Sequence, residues 1–289
     1  MGPAPEASER TGIPPLIAPG SLTRYRRSRN RPSNAPVQVL NPIVLIPARM
    51  AATRLPGKPL ADIEGQAMIV RVLRQAEAAG VGPVAVAAGD PEIVHAVEQA
   101  GGRAVLTDPG LPSGSDRILA ALAVLDPRMR HDVVINLQGD MPFVAPGVLA
   151  ACAGLLAEEA GCDIATLVAP ETSAADRTNP DVVKAVLSMQ PGGRTGRALY
   201  FTRSTLYGDA PVWRHIGIYG YRRDALLKFT AARPSPLEQR EKLEQLRAME
   251  LGLSIWAAVA DDAPISVDSP ADLERARAYA NTLNDGKTS

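Results

Sequence analysis

The chain of 289 residues is short of several things that would otherwise assign it a class. It has two cysteines, Cys152 and Cys162, in an Ala/Leu/Glu-rich segment without metal-ligand spacing. That excludes a disulfide framework or a zinc site and marks both as small buried hydrophobes in a reducing compartment. It has no surplus charge: 31 Lys+Arg stand against 31 Asp+Glu. A general nucleic-acid or membrane-surface binder would show a basic excess, so local cations are left to serve small anions. No apolar run approaches the roughly 18 residues of a membrane span. The start shows no signal-peptide h-region, and Glu6 breaks the myristoylation pattern despite Gly2. These absences lead to the expectation of a soluble, cytoplasmic protein. No internal repeat is present, and no His/Ser or His/Cys pairing suggests a covalent nucleophile.

What is present is 46% hydrophobic content, enough for a sizeable core. Residues 1–40 stand apart, rich in Pro, Ser, Arg and Asn without apolar periodicity, and read as a disordered N-terminal extension. Its cluster Arg24, Arg26, Arg27, Arg29 and Arg31 reads as a solvated basic patch. Residues 41–282 form the expected domain, with 283–289 a short tail. From residue 43 onward strands and helices alternate. Ile43–Ile46, Val84–Ala87, Ala104–Leu106, Val133–Leu137 and Ile164–Val168 read as strands. Met68, Ile69, Val72, Leu73 and Ala76 recur at helical spacing, as do Ile93, Val94 and Val97. Val182–Leu187, His215–Tyr221 and Ile255–Val259 predict further strands. Charged helices are expected around Leu237–Leu251 and from Pro270 to about Ala280. The expected fold is an α/β body: a mixed, mostly parallel sheet with helices on both faces, and a smaller later subdomain.

Three constellations carry chemistry. The first follows the Ile43–Ile46 strand: Pro47, Arg49, Arg54, Pro56, Gly57, Lys58 and Pro59. Three cations on a proline-stiffened loop past a strand's carboxyl end suit a polyphosphate; a solvated loop is the plainer alternative. The second is Asn136-Leu137-Gln138-Gly139-Asp140, where Asp140 emerges from a buried strand at the same edge. It suits Mg²⁺ bridging nucleotide phosphates, or else caps a turn. The third is Val267-Asp268-Ser269-Pro270-Ala271-Asp272. Ser269 reads as an N-cap with Pro270 first in the helix, leaving Asp268 free as a second metal ligand or a second cap. A further segment, Ser113-Gly114-Ser115-Asp116-Arg117, offers hydroxyls, a glycine and a cation to a ribose or base.

These motifs, in this order, resemble the 3-deoxy-manno-octulosonate cytidylyltransferase (CMP-Kdo synthetase) family. The resemblance runs from Pro42 to about Ala278 through IPARMAATRLPGKPL, SGSDR, NLQGDMP, NPDVVKAV, ALYFTRS, RHIGIYGYRRDAL, SPLEQREKLEQLRAMELG and ISVDSPADLERAR. It implies a Rossmann-like, GT-A-like nucleotidyltransferase fold. It also implies a cytoplasmic homodimer that uses Mg²⁺, CTP and the acid sugar Kdo for lipopolysaccharide biosynthesis. By this resemblance Pro47, Arg49, Arg54, Lys58, Ser113 and Gln138 bind the nucleotide. Asp140 and Asp268 hold the metal, so that Arg49, Lys58, Asp140 and Asp268 form the catalytic set. Gln138, Arg203, His215, Tyr219, Glu244 and Gln245 bind the sugar. Singly, each has a plainer role: His215 as a core histidine, Tyr219 as strand packing, Glu244 as an i,i+3 partner of Arg247.

Departures from the family pattern are Ala52 in place of Ser, Ala87-Ala88-Gly89-Asp90 in place of Ala-Thr-Asp-Asp, Met141, and a shorter loop between Arg203 and His215. Lost polar groups at 52, 88 and 89 are expected to weaken nucleotide binding by about 1 kcal/mol per hydrogen bond. A related cytidylyltransferase for another acid sugar, such as amino-Kdo or a sialic-acid type, is the nearer alternative. A silent CTP-binding paralogue is the other.

Overall fold

In the computed structural model, residues 39–51, 54–208 and 211–285 are described. Residues 1–38 of the expected N-terminal extension, the final residues of the tail and the substitution at Ala52 lie outside the described residues. Two faces are written into the first strand, β1 (Pro42–Ala48): Ile43 and Leu45 point to one side, Val44 and Ile46 to the other, and all four are buried. Each such side chain contributes about 1.5–3 kcal/mol of burial. The chain continues through β2 (Asp62–Ile63), β3 (Gln66–Ala67), α1 (Met68–Ala78), β4 (Val84–Ala88), α2 (Pro91–Gln99), β5 (Ala104–Leu106), α3 (Gly114–Leu125) and β6 (Val133–Asn136). Then come α4 (Pro146–Glu158), β7 (Ile164–Glu171), α5 (Ala174–Thr178), β8 (Lys184–Met189), β9 (Thr195–Thr202), β10 (Val212–Arg222), α6 (Arg223–Ala231), α7 (Pro236–Glu241), α8 (Gln245–Glu250), β11 (Ile255–Val259) and α9 (Pro270–Asp285).

The sheet is mixed, in the order β5-β4-β1-β6-β10-β7-β11-β9-β8. β5, β4, β1 and β6 are parallel neighbours, β10 runs against β6 and β7, and β9 runs against β11 and β8. α1, α2 and α4 cover one face with Ile69, Leu73, Ile93, Val97 and Leu155. α3, α6 and α8 cover the other with Ile118, Leu122, Leu226, Phe229 and Leu246. A third cluster pins Leu273, Ala276 and Ala280 of α9 onto Ile63, Met68 and Val267. Cys152 and Cys162 are free and buried, as expected, and burial pushes the Cys162 thiol up to about 12.

Two expectations are corrected. The later half is not a separate subdomain, because β10 joins it to the same sheet. β10 pairs with β7 along most of its length and with β6 over Tyr219–Arg222, and Trp213 and Arg214 also reach β8, curling that end of the sheet on itself. The expected helix over 237–251 is broken: Lys242 adopts a left-handed conformation (φ 56°) that ends α7 before α8 begins.

Candidate active site

The parallel register of β1 and β6 places the ends of both strands at one edge, so Arg49 and Gln138 emerge together. A cavity of about 170 Å³ there is lined by Pro47, Arg49, Ser113, Arg117 and Gln138 among others. A second, of about 270 Å³, shares Pro47, Ala48, Arg49 and Gln138 and adds Lys58, Gly139 and Asp140. The cleft depends on a close backbone approach: a Cβ on Gly139 would lie 2.9 Å from the Pro47 carbonyl oxygen.

Lys58 opens a 3₁₀ turn over Lys58–Leu60, preceded by Gly57 at φ 71°, the left-handed geometry that glycine supplies. Its ammonium donates to Asp140 Oδ2 at 2.9 Å and to Asp268 Oδ1 at 3.1 Å. Arg54 lies 3.6 Å from Asp268. Two carboxylates 128 residues apart in the sequence meet because Val267 N donates to the Asp140 carbonyl at 2.9 Å. Asp268 is not spent on the helix start. Asp272 Oδ2 accepts from Asp268 N and Ser269 N, at 3.1 and 2.9 Å, and caps α9 instead. Burial works to lower the Lys58 pKa, but Asp140 and Asp268 together hold it above the ordinary lysine value. Burial raises Asp140, and Lys58 opposes that rise.

Ser113 lines the cleft, but its hydroxyl is engaged: it accepts from Asp116 N at 3.1 Å and donates to Asp116 Oδ2 at 2.7 Å, capping α3. SGSDR is therefore the first turn of a helix rather than a free loop. Arg117 turns inward, donating to Thr107 Oγ1 at 2.6 Å and the Asp108 carbonyl at 3.1 Å.

Of the sugar candidates, His215 and Tyr219 flank a bulge in β10, where pairing with β7 shifts between Ile216 and Tyr219. Thr166 Oγ1 donates to the Ile218 carbonyl at 2.8 Å and lies 2.9 Å from His215 Nε2. Through this contact Thr166 ties the His215 ring to the backbone of the bulge. Tyr219 packs against His215 with ring centroids 5.5 Å apart. Glu244 accepts from Ser115 Oγ at 3.3 Å and from Arg247 at 3.2 Å, so the plainer i,i+3 pair is formed as well. Gln245 is buried at the start of α8. Arg203 donates to the carbonyls of Glu241 (3.3 Å) and Pro180 (3.0 Å), on the wall of a cavity of about 1220 Å³ that also includes Asp268. A cavity of about 460 Å³ contains Ser113 and Glu244, and Lys242 lines both.

Burial holds the His215 imidazole down at about 4. The unfolded chain therefore takes up this proton first as pH falls. The stability contributed by the neutral ring is complete above the unfolded value near 6.5 and is lost between there and about 4. For a half-buried group this amounts to about 2 kcal/mol. In His215→Gln, urea midpoints should lose that slope between these limits. Parallel curves for both proteins would remove His215 as its source.

Sequence reasoning missed Asp90. As an Asp-Pro pair it reads as a helix cap, yet its Oδ2 accepts from Met50 N at 2.7 Å and anchors the cationic loop. Two departures have structural accounts. Ala88 is fully buried in the core, and a Cβ on Gly89 would sit 2.8 Å from the Arg117 guanidinium. Met141 is likewise buried in the core.

The cytidylyltransferase family model matches residues 43–255. The 3-deoxy-manno-octulosonate cytidylyltransferase of Rhodospirillum centenum is 56% identical over 239 residues, covering 82% of this chain and 93% of that protein. Its namesake in Parvibaculum lavamentivorans is 57% identical over 239 residues, covering 82% and 92%. A solved CMP:2-keto-3-deoxy-manno-octonic acid synthetase complexed with CTP is 37% identical with a TM-score of 0.76, over 84% of this chain and 99% of that one. A 4-diphosphocytidyl-2C-methyl-D-erythritol synthase from Anaerococcus prevotii, 12% identical at a TM-score of 0.57 over 83% and 99%, shares the fold alone.

Proposed function

The chain belongs to the 3-deoxy-manno-octulosonate cytidylyltransferase family, and we propose that it transfers CMP from CTP to the anomeric hydroxyl of Kdo, releasing pyrophosphate. The product then serves lipopolysaccharide biosynthesis. A GT-A-like description of the fold, a homodimer and a cytoplasmic setting belong to the same reading.

The observation that carries the residue assignment is the convergence of Asp140 and Asp268 on one ammonium beside the cleft of Pro47, Arg49 and Gln138. Two hard oxygen donors aimed at one cation fit Mg²⁺, which takes one or two carboxylates and fills its shell with phosphate oxygens and water. When bound, Mg²⁺ lowers the pKa of a coordinated hydroxyl and neutralises phosphate charge. Arg49, Arg54 and Lys58 hold the phosphate oxygens and favour the pyrophosphate leaving group. The Pro47–Gly114 wall seats the cytidine, with Ser113 fixing that wall through its cap. Gln138 stands where nucleotide and sugar meet. Arg203 takes the sugar carboxylate, while His215, Tyr219, Glu244 and Gln245 supply donors and acceptors for its hydroxyls. The anomeric hydroxyl attacks the α-phosphorus in line.

The test is pyrophosphate release from CTP with Kdo, with and without Mg²⁺, beside sialic acid. Release that requires Kdo and metal supports the reading, and silence with Kdo refutes it. In Arg203→Ala, the KM for Kdo should rise on the order of 10–100-fold, the value of one charge-assisted contact. An equal rise for CTP would detach Arg203 from the sugar.

A further inference from the structure

Lys184, the first residue of β8, is 0% exposed, an unusual place for an ammonium. It donates to two backbone carbonyls, Asn179 at 2.6 Å and Arg203 at 3.0 Å. Among the described residues it forms no ion pair; Asp176 and Glu171 act on it from further off, and Arg203 repels it. Withdrawing an ammonium from water costs several kcal/mol, and an apolar side chain of similar length would fill the same space without that cost. A role for the charge is visible in what it ties together. Asn179 immediately precedes Pro180, whose carbonyl accepts from Arg203 Nη1. Arg203 is thus fixed twice: its backbone by Lys184, and its guanidinium by the short segment that Lys184 also grips. Asn179, Pro180 and Arg203 all line the cavity of about 1220 Å³.

We propose that Lys184 is a positioning residue for the acid sugar, clamping residues 179–180 to the Arg203 backbone so that the guanidinium meets the substrate carboxylate. The inference rests on the reading that Arg203 serves the sugar.

The test uses the full chain as Lys184→Met and Lys184→Gln beside wild type, with pyrophosphate-release kinetics and calorimetric CTP binding. Lys184→Met should raise the KM for Kdo about tenfold or more, because small misplacements of a binding group are costly. The CTP dissociation constant should stay within about twofold, since its cleft lies at the β1 edge. Lys184→Gln, which keeps a donor but no charge, should recover part of the loss. An unchanged KM for Kdo, or matching losses for sugar and CTP, overturns the proposal. If Lys184→Met does not fold, Lys184→Gln carries the same split. If neither folds, Lys184 is structural only and the proposal fails. Wild-type silence with Kdo would instead refute the proposed function, so the two failures are distinguishable.

Discussion

In the Asp140→Asn protein, turnover falls by on the order of 10³ while CTP still binds. Asparagine nearly copies the shape of aspartate, so the close approach of Gly139 to Pro47 and the hydrogen bond from Val267 N to the Asp140 carbonyl persist. What disappears is one full negative charge at a site where burial gives it unusual weight. Lys58 keeps its 3.1 Å contact with Asp268, so the cationic loop retains an anchor. The nucleotide loses none of Pro47, Arg49, Ser113 or Gln138 from the wall of its cleft. Binding therefore survives, and the loss of about 4 kcal/mol falls on the transition state. Steady-state pyrophosphate release together with calorimetric CTP affinity separates the two effects. Undiminished turnover would remove Asp140 from the metal role.

The elements of the fold that were legible in the sequence are those that bury large side chains with a clear period. β1, β4, β5 and β11 were read from runs of Val, Ile, Leu and Ala. β9 was not, because its buried positions, Gly196, Ala198, Phe201 and Thr202, break the strict alternation and the first two are small, while the apolar Leu199 faces outward. The break at Lys242 was equally hidden, since glycine is the usual mark of a left-handed helix end and lysine gives no such signal. The site divides in the same way. Lys58, Asp140 and Asp268 stand in recognisable turn chemistry, and the structure brings them together. The geometry of His215 and Tyr219 depends on a bulge held by Thr166, and Asp90 reaches across forty residues to Met50. Such contacts are properties of the packed sheet and leave no local pattern.

Lys58→Met should be harmful in two separable ways. Its first effect is on catalysis. With no point charge for the phosphates, kcat/KM for CTP should fall on the order of 10², the range for a charged group that stabilises transferring phosphoryl oxygens. The second effect appears without substrate. In the wild-type protein the Lys58 ammonium neutralises Asp140 and Asp268 at once, with its side chain only 17% exposed. Removing it leaves two carboxylates facing each other, one of them already raised by burial. Like charges at close quarters then destabilise the metal-free fold by about 1–3 kcal/mol, less than a fully buried broken pair would cost because Asp268 remains half open to water. A divalent cation offers the same two carboxylates a replacement charge. Mg²⁺ should accordingly raise the melting temperature of Lys58→Met more than that of wild type, where the lysine competes for the same oxygens. Thermal unfolding with and without Mg²⁺ reads this directly. A larger Mg²⁺ gain in the variant would identify the point now held by the ammonium as the metal's. Equal gains in both proteins would mean that Asp140 and Asp268 do not bind the ion together.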